Sequence, residues 1–346
     1  MSTIGDVAKI AGVSAMTVSR VINDSGYVKQ DTREKIQKAI MQLDYRPNMV
    51  AKSLVTRRTN ILAYIVSDIS DPFYNKVSKG IAETCLKHNF SFIICDATNQ
   101  QILNSQIRMI GDRQIDGVIF HDLDIKQEEV DNLLSLGMKI VMLENETDLE
   151  RVFSIRGNDR KGAKLATSHL ISKGHKRIAC LKGPTYKNNS MKNLSFQDSF
   201  KRRTWIDRTM GYEDALDESG IAYKMFFDGC VESSMGFSLA QDFVRHWQTI
   251  PIEERPTAVY CESDILALGV LSKALQFGIE IPEELAIAGH DGLDMTSMIY
   301  PQITTIKQQR YIMGQLSAEM LIDFIEHGQK EGSKVLDVEF AQGQTT

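Results

Sequence analysis

The sequence predicts an α/β protein in two parts: an all-helical N-terminal head, then a larger body of two doubly wound, parallel-sheet subdomains. Three observations lead there. Residues 1 to 58 read as short amphipathic helices with capping signals and no strand pattern. From Ile61 the rhythm changes to short, continuous apolar runs alternating with longer amphipathic stretches. That is the pattern of strands covered by helices on both faces. Charge breaks at the same place: residues 1–58 carry ten Lys+Arg against five Asp+Glu, and the remainder carries 30 against 40.

Each head element follows from local chemistry. Thr3-Ile-Gly-Asp6 has capping-box spacing, and Ile4, Val7, Ala8 and Ala11 then make one apolar face. Gly12-Val13 forms a tight turn. Ser14 can cap a second helix that turns Val18, Val21 and Ile22 inward. Asp31-Thr-Arg-Glu34 is a second capping box, expected to open a third helix through Ile36, Ala39, Ile40 and Leu43. Pro47-Asn48 breaks it and can start a short last helix, Met49 to Val55.

In the body the strand candidates are Ile61–Val66, Ser91–Cys95, Gly117–Phe120, Ile140–Leu143, Ile178–Leu181, Ala258–Cys261 and Leu285–Ala288. These are too many βα units for one compact sheet, so two subdomains are expected. Ligands of such folds bind beyond the carboxyl ends of the strands. Those ends here read Ser67-Asp68, Asp96, His121-Asp122, Glu144, Glu262-Ser263-Asp264 and His290-Asp291.

Composition removes several classes. The chain has 346 residues, 42% of them apolar, and a formal charge of −5. No apolar run approaches the ~20 residues that span a bilayer. The N-terminus lacks the basic start and apolar stretch of a secretory signal, so a cytoplasmic protein with no membrane partner is expected. The cysteines at 85, 95, 180, 230 and 261 are odd in number and widely spaced, and read as small buried hydrophobes of a reducing compartment. No Gly-x-Gly-x-x-Gly follows a strand. There is no phosphate-cradling loop ending in Gly-Lys-Ser/Thr and no Gly-x-Ser-x-Gly elbow. The seven histidines form no zinc pattern; His169 and His175 read as packing or helix-end residues. Neither an enzyme nor a bound metal or cofactor is expected.

A helix, a glycine turn and a second helix form a helix-turn-helix, whose second helix can enter a DNA major groove. Its outward positions are Ala15, Met16, Thr17, Ser19, Arg20 and Asn23. Arg20 can donate two hydrogen bonds to guanine; Ala15 and Met16 offer only apolar contact, for instance to a thymine methyl. Thr17, Ser19 and Asn23 suit phosphates, which fix register without reading sequence. After Pro47, Ala51, Leu54 and Val55 share a short helix with Lys52, Arg57 and Arg58 close by. Leu54 can wedge between base pairs from the minor groove.

These stretches carry a resemblance. Thr3-Ile-Gly-Asp-Val-Ala-Lys-Ile-Ala-Gly-Val-Ser-Ala-Met-Thr-Val-Ser-Arg-Val-Ile-Asn23, Thr32-Arg-Glu-Lys35, Tyr45-Arg-Pro-Asn48 and Ala51-Lys-Ser-Leu54 strongly resemble the lactose-repressor/galactose-repressor (LacI/GalR) family of bacterial transcription regulators. Later matches include Asp68-Ile-Ser-Asp-Pro-Phe-Tyr74, Asp116-Gly-Val-Ile-Phe120, Gly174-His-Lys-Arg-Ile178, Glu262-Ser-Asp-Ile-Leu-Ala-Leu-Gly269, Pro282-Glu-Glu-Leu-Ala-Ile-Ala-Gly-His-Asp291 and Thr304-Thr-Ile-Lys-Gln308. The resemblance implies a homodimeric repressor on a near-palindromic operator, with paired hinge helices in the central minor groove. Its motif positions place Thr3, Ser14, Ala15, Met16, Thr17, Ser19, Arg20, Asn23, Tyr45, Asn48, Ala51, Lys52 and Leu54 at DNA. Lys52 stands where many relatives have Arg, which keeps the charge but loses the planar fork.

The resemblance also implies a division into a head (1–46), a hinge (47–60) and a periplasmic-binding-protein-like effector and dimerisation body (61–346). Within the body it implies an N-subdomain of 61–157 plus 291–327 and a C-subdomain of 158–290 plus 328–346. A small-molecule effector, a sugar or sugar derivative, would bind between them. A sugar site needs a fork-shaped donor, a carboxylate and aromatic faces. Arg208 and Asp291 match the family's arginine and carboxylate, and Phe73 and Tyr74 its aromatic positions; His121, Asp159 and Ser263 complete the candidates. Ser263 stands where relatives often carry Asn, and Val231 where they often carry an aromatic residue. The basic stretch 185–207 can be a lid or a surface loop. Two alternatives stay open: gating mainly by a phosphorylated carrier protein, or by a non-sugar metabolite such as a nucleobase.

Overall fold

A computed structural model describes residues 2–46, 58–112, 115–123, 125–145, 152–183, 203–228, 236–328 and 332–346. The chain divides into two compact units, residues 1–59 and 60–346.

The first unit holds α1 (Ile4–Ala11), α2 (Ala15–Ile22) and α3 (Gln30–Gln42). The box expected at Thr3 forms: its hydroxyl accepts from Asp6 N at 3.3 Å while Thr3 N donates to Asp6 Oδ2 at 2.8 Å. Gly12 ends α1 at φ +65°, a left-handed backbone that suits glycine. Ser14 caps α2, its Oγ accepting from Thr17 N at 3.2 Å. Val7, Val18, Ile36 and Ala39 form the small core, with Ile4, Ile22, Leu43 and Tyr45 packed against it. The box expected at Asp31–Glu34 does not form. The N–H groups of Thr32 and Arg33 already bond to Lys29 O at 3.0 Å, so α3 opens earlier and Glu34 accepts instead from Gln30 Nε2 at 3.1 Å.

The second unit contains two parallel sheets. The first has strand order β11-β5-β4-β3-β1-β2, where β1 is Ile61–Val66, β2 Ser91–Asp96, β3 Gly117–His121, β4 Lys139–Leu143, β5 Val152–Gly157 and β11 Lys334–Leu336. Its pleat explains the unbroken apolar runs. Leu62, Tyr64 and Val66 of β1 face α4 (Phe73–Lys87) and α11 (Arg310–His327), while Ala63 and Ile65 face α5 (Gln100–Asp112) and α6 (Gln127–Ser135). α4 and α11 cross at Gly80 and Gly314; a Cβ at either would collide with the other helix's backbone.

The second sheet has order β7-β6-β8-β9, with β6 Ile178–Leu181, β7 Met225–Phe227, β8 Ala258–Cys261 and β9 Ala286–Ala288. One face packs on α7 (Asp159–Ser172) and α8 (Arg203–Glu218). The other packs on α9 (Phe237–Thr249) and α10 (Asp264–Gln276). A separate antiparallel pair joins β10 (Thr305–Lys307) to β12 (Glu339–Ala341). Within the described residues α8 runs from Arg203, so residues 203–207 of the 185–207 stretch, expected as a lid or a surface loop, are helical; 184–202 lie outside the described residues.

The expected split of the body is cut more finely. Residues 291–327 were expected whole in the first half, but Ile303 and Ile306 pack in the second half's cores, and Gly289 N donates to Thr304 O at 2.8 Å. Residues 328–346 were expected in the second half, but Lys334–Leu336 extend the first sheet beside β5. Only the last stretch joins the second half, where Ile287 N donates to Thr345 O at 2.7 Å. The cause is the size of these segments: three-residue strands follow whichever sheet edge has free backbone groups. The described cysteines, Cys85, Cys95, Cys180 and Cys261, are buried thiols outside any disulfide among the described residues.

Candidate functional site

On the head, α2 presents a mixed face. Ala15, Met16, Arg20 and Asn23 are exposed, Met16 over 67% of its surface, and Thr17 and Ser19 are half-buried. Among the described residues no ion pair engages Arg20. Several expected contacts have internal duties. Thr3 and Ser14 cap helices, and Asn23 Nδ2 donates to Ser19 O at 2.9 Å. Tyr45 packs on the head core. Asn48, Ala51, Lys52 and Leu54 lie outside the described residues, as does Val231.

In the body, the ends of β5, β8 and β9 and the first turns of α7, α8 and α10 converge on Arg208. This side chain is 2% exposed. Its Nε donates to Asp159 Oδ1 at 2.8 Å, its Nη2 lies 2.9 Å from Asp291 Oδ1, and its Nη1 donates to Glu262 O. Gln308 Nε2 reaches both carboxylates at 3.4 Å, and His290 Nε2 lies 3.3 Å from Asp159. Tyr260 OH holds the other ring nitrogen of His290 at 2.8 Å. Glu262 accepts from Gly183 N at 2.7 Å and from Thr209 Oγ1 at 2.6 Å. Asp264 accepts from Leu293 N at 2.7 Å and Thr305 Oγ1 at 2.5 Å.

Burial dominates the proton affinities. It pushes Glu262 up to about 7 and Asp291 to about 6, the latter in spite of Arg208. Burial, with Arg208 adding to it, holds His290 neutral, down to about 4. Burial also opposes the charge of Asp159, but Arg208 and His290 outweigh it and the carboxyl lies below its usual range. Burial and the charge of Asp291 raise Asp264, and burial and Asp159 raise Glu144. Asp122, Glu144 and Asp291, at three strand ends, have φ of +54°, +58° and +119°. Such backbone costs energy for non-glycine residues, and it clusters where sites are built.

The first half supplies rings rather than charges. Phe73, Tyr74 and His121 are buried, and Phe73 and Tyr74 meet His121 edge-on at 5.6 and 4.8 Å between centroids. Tyr64 OH lies 2.7 Å from His121 Nδ1, and Tyr74 OH lies 2.7 Å from Ser67 Oγ. The Arg310 guanidinium sits 5.7 Å from the Phe73 ring centroid.

The structure therefore gathers Asp159, Arg208 and Asp291 into one network and sets Phe73, Tyr74 and His121 in one ring cluster. Ser263 has a structural duty as the N-cap of α10, its Oγ accepting from Leu266 N at 3.2 Å. Sequence reasoning missed Gln308 and His290 as members. The strand-end position was a usable signal for His290; nothing local marked Gln308.

Residues 59–341 match the family described as periplasmic binding proteins and sugar binding domain of the LacI family, and residues 3–48 match bacterial regulatory proteins, lacI family. The chain belongs to the LacI family. It is a DNA-binding transcription regulator with an effector-binding body. Among LacI-family relatives, it is 31% identical over 331 residues to the HTH-type transcriptional repressor PurR of Vibrio atlanticus (strain LGP32), covering 94% of this chain and 92% of that one. A complex of the transcriptional regulator CelR with cellobiose aligns over both whole chains at 25% identity and a TM-score of 0.68. A lac repressor dimer bound to operator and the anti-inducer ONPF shares the fold at 24% identity and a TM-score of 0.81, over 100% of this chain and 99% of that one. Among the described residues no helix is long and apolar enough to cross a membrane, and no cluster of ligating side chains is suited to a metal.

Proposed function

We propose that this LacI-family protein is a cytoplasmic, homodimeric repressor whose operator affinity is set by a sugar or sugar derivative bound between the two halves of its body. It does no catalysis. A head of residues 1–46 reads half-sites through Arg20, with Ala15 and Met16 in apolar contact. A hinge of residues 47–60 inserts Leu54, and the body senses the effector. Two heads related by a two-fold axis match a near-palindromic site.

The observation that carries the effector reading is the Asp159–Arg208–Asp291 network, a buried ion cluster closed at 2.8 and 2.9 Å. Buried ion pairs are weak contributors to stability, because desolvation offsets their attraction. A guanidinium and two carboxylates are, however, a matched set for vicinal hydroxyls. The ring wall of Phe73 and Tyr74 suits the C–H faces of a pyranose. The CelR relative was solved with cellobiose, which supports a saccharide.

A thermal-shift screen of sugars, sugar acids and nucleobases tests this. A true effector raises the melting temperature by mass action and changes operator affinity in a mobility-shift assay. A nucleobase as the sole hit, or a phosphorylated carrier protein as the sole modulator, overturns the sugar reading. Binding-site selection tests the head: Arg20→Ala relaxes one symmetric base pair of the consensus, by about 1–3 kcal/mol per half-site. An unchanged consensus contradicts its role.

A further inference from the structure

A second concavity lies at the N-terminal end of α11 and shares only Gln308 with the Arg208 network. It is a groove of about 310 Å³ whose walls include Lys76 of α4, Asp294 and Ser297 at the two ends of a 3-10 turn (Asp294–Ser297), Lys307 of β10, and Gln308 and Arg310 where α11 begins. Neither Arg208, Asp159 nor Asp291 lines it.

Three features there converge on an anion. The first is charge: Lys76, Lys307 and Arg310 stand against one carboxylate, Asp294. Lys76 pairs with Asp294, and Arg310 Nη2 lies 3.8 Å from it. Lys307 is exposed and makes no ion pair among the described residues. The second is an open helix end. Gln309, the N-cap of this 18-residue helix, makes no side-chain cap bond and donates instead to Asp337 O at 2.9 Å. The first-turn N–H groups keep their partial positive charge for a ligand.

The third feature is the state of Arg310 itself. Arg310 is 3% exposed, yet its Nε has no hydrogen-bond partner, and only Nη2 donates, to Gly292 O at 2.6 Å. A buried guanidinium with unused donors is a costly arrangement unless something completes it. Carboxylates complete such groups elsewhere in the molecule, as Asp159 and Asp291 do for Arg208.

We propose that this groove is a second ligand site, selective for a small phosphate-bearing metabolite. The phosphate binds Arg310, Lys307 and the first turn of α11, and the organic part fills the remaining volume. Asp294, with 55% of its side chain exposed, turns into solvent and releases Lys76 to the anion. Occupancy reaches the central cleft through two residues. Arg310 lies over Phe73, and Gln308 bonds to both Asp159 and Asp291. An anion here therefore biases the arrangement that the effector also biases.

The test is calorimetric titration of the full-length protein at constant ionic strength with inorganic phosphate, then with glycerol 3-phosphate against glycerol. Saturable binding of both phosphates and none of glycerol is expected. Lys307→Ala, a surface change, weakens binding at least tenfold, and Arg310→Gln does the same if it folds. Asp294→Asn removes the competing carboxylate and tightens binding severalfold. Lys79→Ala, a cation outside the groove, leaves it unchanged. The proposal is overturned if no phosphate binds saturably, if Lys307→Ala binds like wild type, or if Lys79→Ala loses as much as Lys307→Ala.

Discussion

The two walls of the central cleft share one frame and differ in what is mounted on it. In the first half, Tyr64 of β1 pairs in register with Ile119 of β3, and its hydroxyl meets His121, two residues further on. In the second, Tyr260 of β8 pairs with Ala288 of β9, and its hydroxyl meets His290, again two residues further on. A glutamate follows a strand in each half and accepts from a glycine N–H at the end of the neighbouring strand: Glu144 from Gly157, Glu262 from Gly183. Beyond this repeated scaffold the halves part. The first surrounds its histidine with Phe73 and Tyr74; the second sets Asp159 and Arg208 beside its own. One frame thus gives a packing wall and an ionic wall, and the effector proposed above would meet rings on one side and charges on the other.

That contrast predicts unequal responses to mutation. The largest effect should come from Arg208→Leu. It strands Asp159 and Asp291 as buried carboxylates, and losing one partner of such a cluster costs about 3–5 kcal/mol. Urea unfolding measures it; a loss under about 1 kcal/mol would show that the ionic wall is no more demanding than a surface pair.

Next is a pH effect from Glu262 in the ionic wall. Glu262 has its proton affinity raised from 4.5 to about 7 in the folded state. Its protonated form therefore contributes stability that is fully present below about pH 4.5 and is lost as pH rises through about 7, on the order of 3 kcal/mol at most. Glu262→Gln should be insensitive to that change. The stability of wild type relative to the variant should fall between pH 5 and pH 8. A flat or rising difference contradicts the buried, weakly ionised carboxyl.

The smallest effect belongs to the packing wall. Tyr74→Phe keeps the ring and removes the hydroxyl's contact with Ser67, at about 1 kcal/mol. If it matches Arg208→Leu, the distinction between the walls fails.

The sequence made some of this legible and hid the rest, for physical reasons. Long apolar runs such as Ile61–Val66 and Gly117–Phe120 are buried on both faces, so their strands could be read directly. The Thr3 and Ser14 caps are local, and they form as the spacing indicates. Val152–Gly157 was missed because Ser154 and Arg156 interrupt its apolar character. The three-residue strands β7, β10, β11 and β12 are shorter than any period. At the site, Arg208 and Asp291 came from motif matching. Gln308, bonded to carboxylates 149 and 17 residues away, follows only from the folded path of the chain. Ser263 carries a duty that its strand-end place did not reveal: its hydroxyl caps the start of α10.

The central claim is that the ionic wall reads the effector and thereby governs the head. The most direct measurement is operator affinity of the full-length protein, with and without the compound that stabilises it most, for wild type and Arg208→Lys. Lysine keeps the charge but cannot span Asp159 and Asp291 with a fork. The expected result is an affinity ratio of about tenfold or more in wild type, on the scale of an ordinary allosteric coupling, falling to about one in the variant. An undiminished ratio in Arg208→Lys would contradict the claim.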